Sequence, residues 1–158
     1  MDILFERIKT QIDLEQIKYW LEDIDLLRMA RMREAPLSDL DLQDYLSTLS
    51  FLVFVDGLAI GYARIYPSES SREGEIGIVI ADPEYRGKGI GTEIGKKLIA
   101  TCMVMGMTTL DWATGDFNIP SIKLAKKLGF KFYKLIPEVL TILGDKHDAL
   151  VYRLEVKK

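Results

Sequence analysis

Glycines alternate at positions 87, 89 and 91, with Arg86 before them and Lys88 among them. Glycine leaves backbone N–H groups unshielded. The helical pattern that follows, Thr92-Glu93-Ile94, adds the positive end of a helix dipole. Such a loop suits an anion, phosphate above all. Gly87, Lys88, Gly89, Ile90, Gly91 and Thr92 would offer N–H groups, and Arg86 and Lys88 would add charge. Upstream, Glu75 opens an apolar run and could serve as a base, or be no more than a solvated charge at a strand start. Downstream, Asn118 and Ser121 bracket Pro120 at the start of another helical pattern.

The elements that must position these residues can be read on both sides of the loop. Ile76, Ile78 and Ile80 alternate with Gly77 and Val79 in a strand that Asp82-Pro83 ends. Before it, Leu4–Lys9 reads as a first strand. Leu14, Ile17 and Leu21 mark a helix that Thr10 or Asp13 would cap. Helical character continues, broken, through Met32, and Pro36 interrupts it. Met29 and Met32 fit either core filling or a flexible rim over a cleft. Ser38 and Asp39 precede a further helix. Phe51–Val55 and Leu58–Tyr66 flank Asp56-Gly57, a strong hairpin signal. The segment from Pro67 to Gly74 is expected to be a loop.

After the glycine loop, Ile94, Leu98 and Cys102 line a helix face that Gly106 closes. Thr108–Thr114 is a strand. Ile122, Leu124, Ala125 and Leu128 mark a helix ended by Gly129, and strands are expected over Lys131–Ile136 and Asp148–Val156. His147 falls in a polar turn between these last strands and is expected to be solvated. The order implies an α/β (α+β) fold: a mixed, mostly antiparallel sheet of six or seven strands covered by helices, with a local parallel pair at its centre.

Composition narrows the function classes. A chain of 158 residues suits one domain, residues 1–158, able to bury roughly 70% of its unfolded surface. With 21 basic and 24 acidic residues the formal net charge is −3, which speaks against a nucleic-acid partner. No apolar run reaches the ~20 residues of a membrane span. The N-terminus does not read as a signal peptide. Cys102, the only cysteine, excludes an intrachain disulfide and fits a reducing cytoplasm. It lies on an apolar stripe and is expected to be an inert core thiol. No spacing suggests a metal site.

Two phosphate motifs fail. Lys88 between glycines does not make a Walker A loop. The dinucleotide fingerprint would need glycine where Thr92 or Ile94 stand. Arg86-Gly87-Lys88-Gly89-Ile90-Gly91, after a strand ending in Asp-Pro, instead resembles the acyl-CoA loop of the GNAT superfamily of N-acyltransferases. Asn118-Ile119-Pro120-Ser121 with Leu124, followed by Leu128-Gly129-Phe130, is similar to that family's second cofactor segment. The specific likeness runs from about Glu75 to Tyr133.

The resemblance implies a GNAT-like sheet with helices on both faces and a splayed central parallel pair. Between those strands the pantetheine arm of coenzyme A would pair with Val79, Ile80 and Ala81, and an N–H near Ile80 would polarise the thioester carbonyl. Asn118 and Ser121 would help hold the cofactor. Glu75, fourteen residues ahead of Gly89, sits at the spacing of the family's base glutamate. The implied activity is direct transfer of acetyl from acetyl-CoA, a co-substrate, to a primary amine of a small molecule or protein. The family's usual acid tyrosine is replaced by Ala125, which leaves Tyr133, or Tyr85, as substitutes. That departure favours the alternative, a catalytically weak acyl-CoA sensor or partner-binding module on the same fold. A nucleotide-phosphate binder is a third reading. Nothing in the sequence fixes the acceptor, acyl groups other than acetyl, or oligomeric state, a homodimer included.

Overall fold

The computed structural model describes residues 1–70 and 72–156. Its elements run β1 (Ile3–Arg7), α1 (Gln11–Leu21), α2 (Ile24–Arg31), α3 (Asp39–Ser47), β2 (Leu49–Val55), β3 (Leu58–Pro67), β4 (Glu73–Ile80), α4 (Ile90–Val104), β5 (Thr109–Gly115), α5 (Ile119–Lys127), β6 (Lys131–Ile142) and β7 (Asp145–Glu155). Seven strands form one sheet in the order β1-β2-β3-β4-β5-β7-β6. Only β4 and β5 run parallel, joined by the α4 crossover; every other neighbouring pair is antiparallel.

Local chemistry explains the boundaries. Thr10 and Ser38 cap α1 and α3 in capping boxes completed by Asp13 and Asp41. Asp56 and Gly57 both take positive φ, 48° and 85°, as a tight hairpin turn requires. Gly129 follows α5 with φ 98°, and Phe130 packs behind it in the core. Gly61 is required by close approach: a Cβ there would lie 1.9 Å from the Val79 carbonyl oxygen on β4.

Each sheet face carries its own core. Ile76 on β4, Leu110 and Trp112 on β5 and Tyr152 on β7 pack against Ile94, Leu98 and Cys102 of α4 and Ala125 of α5. On the other face, Leu52 and Tyr62 pack against Leu14, Ile17 and Leu21 of α1, Leu27 of α2, and Leu42 and Tyr45 of α3, with Val79 beside them. The β4 side chains therefore divide, with Ile76, Ile78 and Ile80 toward α4 and Glu75, Gly77 and Val79 toward α1–α3.

Several boundaries differ from the sequence reading, three of them by more than two residues or in what they place at the site. β4 starts at Glu73, inside the expected loop. β6 continues to Ile142, past Pro137, which an edge strand tolerates. The last hairpin turns at Leu143 and Gly144, so His147 is a strand residue. Its Nδ1 lies 2.8 Å from Asp116 Oδ1 and its ring packs edge-on against Phe117, so it is anchored at the end of β5 rather than free in solvent. Among the described residues, no helix is long and apolar enough to cross a membrane.

Candidate active site

The parallel pair is short. β4 pairs with β5 only over Glu73–Glu75, opposite Thr109–Asp111. Beyond Glu75, β4 stays bonded to β3 through Ile80 but has no β5 partner, while β5 stays bonded to β7. The strands fork there. Alternate amide and carbonyl groups of Ile76–Ile80 consequently point into the opening, an edge that an extended, amide-bearing chain could pair with.

The glycine loop stands at the open end of this fork. A short 3-10 turn, Pro83–Tyr85, leads into it, with Asp82 accepting from the Glu84 N–H. Gly87 and Gly89 take φ of 72° and 79°, and a Cβ on either would meet nothing within 4 Å. Gly89 is the N-cap of α4 and supplies no side-chain cap. The first-turn N–H groups at Ile90, Gly91 and Thr92 thus lack the carboxylate or hydroxyl that caps most helices. These features fit an anionic group: an uncapped helix start, a bare approach and the Lys88 side chain nearby. Arg86 is used differently from expectation. Its guanidinium donates to the Ile80 and Ala81 carbonyls at 2.8 and 3.0 Å, tying the loop to the end of β4. The Ala81 N–H is also committed, to the Ile60 carbonyl at 2.8 Å.

Asn118 and Ser121 sit across the fork at the start of α5. Asn118 Oδ1 accepts from the Ser121 N–H at 3.3 Å, and its Nδ2 donates to the Met29 carbonyl at 3.4 Å. Ser121 Oγ accepts from Trp112 Nε1 at 2.9 Å. The pair thus fixes α5 against β5 and against α2, which roofs the cleft and places the exposed Met29 at its rim. Leu143 N–H, bonded to Glu34 Oε1 at 2.9 Å, ties the same roof to the last hairpin.

At the base of the fork, one row of cross-strand neighbours shares the α1–α3 face: Tyr66 on β3, Glu75 on β4, Asp111 on β5 and Arg153 on β7. Arg153 donates to both Asp111 oxygens, at 2.7 and 3.0 Å, and lies 3.7 Å from the Tyr133 ring centroid. Glu75 reaches solvent, yet the crowding of strands at the fork desolvates its carboxyl and Asp111 adds like charge. Both push its pKa above the usual carboxylate range. Tyr133 is exposed at 48% and belongs to this row only through Arg153. Ala125 is fully buried in the α4–α5 core, so the usual acid position offers no polar atom. Burial pushes the Cys102 thiol up to about 11, which keeps it protonated and inert.

Sequence reasoning missed the Asp111–Arg153 pair, the His147–Asp116 pair and a buried Arg64. The last had a signal: alternation places Arg64 on one face between Tyr62 and Tyr66. Among the described residues, no group of three or more His, Cys, Asp or Glu side chains could hold a metal.

Comparison with known proteins places these features. A family model described as "Acetyltransferase (GNAT) family" matches residues 15–130. Alpha/beta-tubulin-N-acetyltransferase 9 of Homo sapiens is 39% identical over 85 residues, which cover 49% of this chain and 41% of that protein. Thialysine N-epsilon-acetyltransferase of Bos taurus is 36% identical over 73 residues, 44% of this chain and 43% of that one. The chain spans less than half the length of these curated relatives. A GNAT superfamily phosphinothricin acetyltransferase from Sinorhizobium meliloti, solved in complex with AcCoA, superposes with a TM-score of 0.81 at 23% identity, covering 99% of this chain and 89% of that one. That likeness establishes the shared fold.

Proposed function

The chain belongs to the GNAT acetyltransferase family, and from that premise we propose that it transfers acetyl from acetyl-CoA directly to a primary amine. The observation that carries the reading is the fork: β4 loses β5 immediately after Glu75, and the uncapped start of α4 stands at its open end. Acetyl-CoA supplies an acetyl group activated as a thioester. Gly87–Thr92 and Lys88 hold its pyrophosphate, and the free edge of β4 through Val79 and Ile80 pairs with its arm. Asn118 and Ser121 keep the opposite wall in place. Glu75, directly or through water, takes the proton of the attacking amine; its raised pKa suits a base working near neutral pH. Among the described residues near the fork, none is suited to carry the acetyl covalently.

Ala125 supports the second reading, an acyl-CoA sensor of little activity. The thiol leaving group, with an ordinary pKa of about 8.5, weakens that objection because it needs little help to leave. Tyr133 remains the candidate acid. The acceptor is a small-molecule or protein amine; the enzyme works without metal, in the cytoplasm, as one domain over residues 1–158. The exposed Phe132, Leu135 and Val139 of edge strand β6 favour a homodimer, which a light-scattering mass would test. Calorimetric titration with acetyl-CoA tests the site itself. Saturable binding is expected, and no heat at millimolar ligand would remove the reading.

A further inference from the structure

We propose that the acceptor is an α-amino-acid-like molecule, its carboxylate held by Arg31 while its amine faces Glu75 across the bare floor at Gly77. This rests on the acetyltransferase reading and names the substrate class of the same site.

The floor comes first. Gly77 shares the α1–α3 face with Glu75, two residues away, and a Cβ placed on it would meet no atom within 4 Å. There is open space next to the candidate base. Across from Gly77 on β3 is Arg64. It is 3% exposed and is held by Ser50 Oγ through Nε, and by Asp44 and Thr48 through Nη2. The Tyr45 and Tyr66 rings lie 3.9 and 4.7 Å from its Cζ, and its Nη1 is buried without a hydrogen-bond partner.

Arg31, the last residue of α2, adds a second guanidinium to the same tyrosine cluster. Its Nη1 donates to the Tyr45 hydroxyl at 2.6 Å, its only side-chain hydrogen bond among the described residues. Burial works against its charge, but the Tyr45 hydrogen bond and the charge that Tyr45, Tyr62 and Tyr66 carry once ionised outweigh this and raise its pKa. No carboxylate among the described residues pairs with it. Asp44 is taken by Arg64, and Asp41 by Arg33 and the Ser38 N–H. A favourable helix C-terminus alone does not account for this inward position. Arg28, in the same last turn, finds Asp25 and Glu34 at the surface.

Arg64 is bonded to Asp44, while Arg31 has no carboxylate in hydrogen-bond contact and feels Asp41, which Arg33 pairs, only through space; this leaves a partly buried guanidinium with free donors on one side of the open floor. Glu75 and Asp111 stand on the other side. A partly buried cation that no carboxylate touches gains from a ligand that supplies one. Guanidinium favours a carboxylate through paired N–H donors, and Arg31 keeps Nε and Nη2 for that purpose. A molecule carrying an amine and a carboxylate a short distance apart satisfies both walls at once.

The test is calorimetric binding of α-amino acids and of the matching α-carboxamides, in the presence of CoA, to the natural chain and to Arg31→Gln and Arg31→Lys. The natural chain is expected to prefer at least one carboxylate over its carboxamide by about ten- to a hundred-fold, the range for a charge-assisted contact. Arg31→Gln is expected to bring that ratio to about one, and Arg31→Lys to keep part of it. Equal binding of both series, no binding of either, or a ratio unchanged in Arg31→Gln overturns the proposal. Thermal melts of the variants show whether they remain folded. Thiol release from acetyl-CoA is followed separately. Carboxylate-dependent binding without thiol release sinks the acetyltransferase reading and leaves the anion seat standing.

Discussion

Crowding at the fork and the neighbouring Asp111 carboxyl hold Glu75 above the usual carboxylate range, and this has consequences for both rate and stability. To act as the proposed base Glu75 must be ionised, so the rate should rise with pH through its raised pKa. Glu75→Gln is expected to lower kcat/KM near neutral pH by about a hundred-fold and to lose less at high pH, where the amine deprotonates itself. An unchanged pH profile would rule Glu75 out. Asp111→Asn removes the like charge and should move the acidic limb of the profile to lower pH. The stability effect has the opposite sign from a salt-bridged acid. A carboxyl whose folded pKa is raised binds its proton more tightly folded than unfolded, so stability is lost as pH rises through the raised value. Glu75→Gln should therefore melt higher than the natural chain at pH 7, and the gain should vanish below the ordinary glutamate pKa of about 4.3. Thermal melts at both pH values check this. The spacing between Glu75 and the loop singled this residue out in the sequence as a candidate base. Its partner Asp111 was not, because a parallel pairing of three residues leaves no pattern in the chain.

At the scale of elements, the fork depends on where β4 is held and where it is released. Gly61 lets β4 approach β3 so closely that Gly61→Ala would force its Cβ onto the Val79 carbonyl. A loss of about 2–4 kcal/mol is expected by denaturant unfolding, since backbone cannot give way as a side chain can. A loss under about 0.5 kcal/mol would contradict the register. Gly89→Glu acts at the other end. The site has room, but the residue needs φ of 79°, and the new carboxylate would sit where the cofactor's anion belongs. Acetyl-CoA binding should be lost with at most about 1–2 kcal/mol of stability. Strand order along the chain, the Gly106 and Gly129 turns and the Asp56-Gly57 hairpin were readable because turn chemistry is local, whereas the split of the first helical stretch into α1 and α2 at the Asp23 cap was read only as a break in one helical stretch. The extent of β6 past Pro137 and the pairing of His147 with Asp116 were not. The first depends on an edge strand that does not need the missing N–H, and the second joins residues 31 apart in sequence. Arg86 shows the same limit within a matched motif. Residue type placed it at an anion site, while its geometry makes it a clamp on the β4 carbonyls.

For the whole molecule, the sheet separates two tasks. The α4–α5 face, with its apolar core and the glycine loop, carries the proposed anion seat. The α1–α3 face carries the charged row and the arginine–tyrosine cluster on which an acceptor would lie. The fork opens a way between the two faces, and the proposed reaction joins two ligands brought there from opposite sides. The most direct measurement is release of free thiol from acetyl-CoA in the presence of a panel of primary amines, amino acids included, with the acetylated product identified by mass spectrometry. Thiol release that depends on an amine, matched by an N-acetyl product and suppressed in Glu75→Gln, is the predicted result. Saturable acetyl-CoA binding with no amine-dependent thiol release across the panel would contradict it.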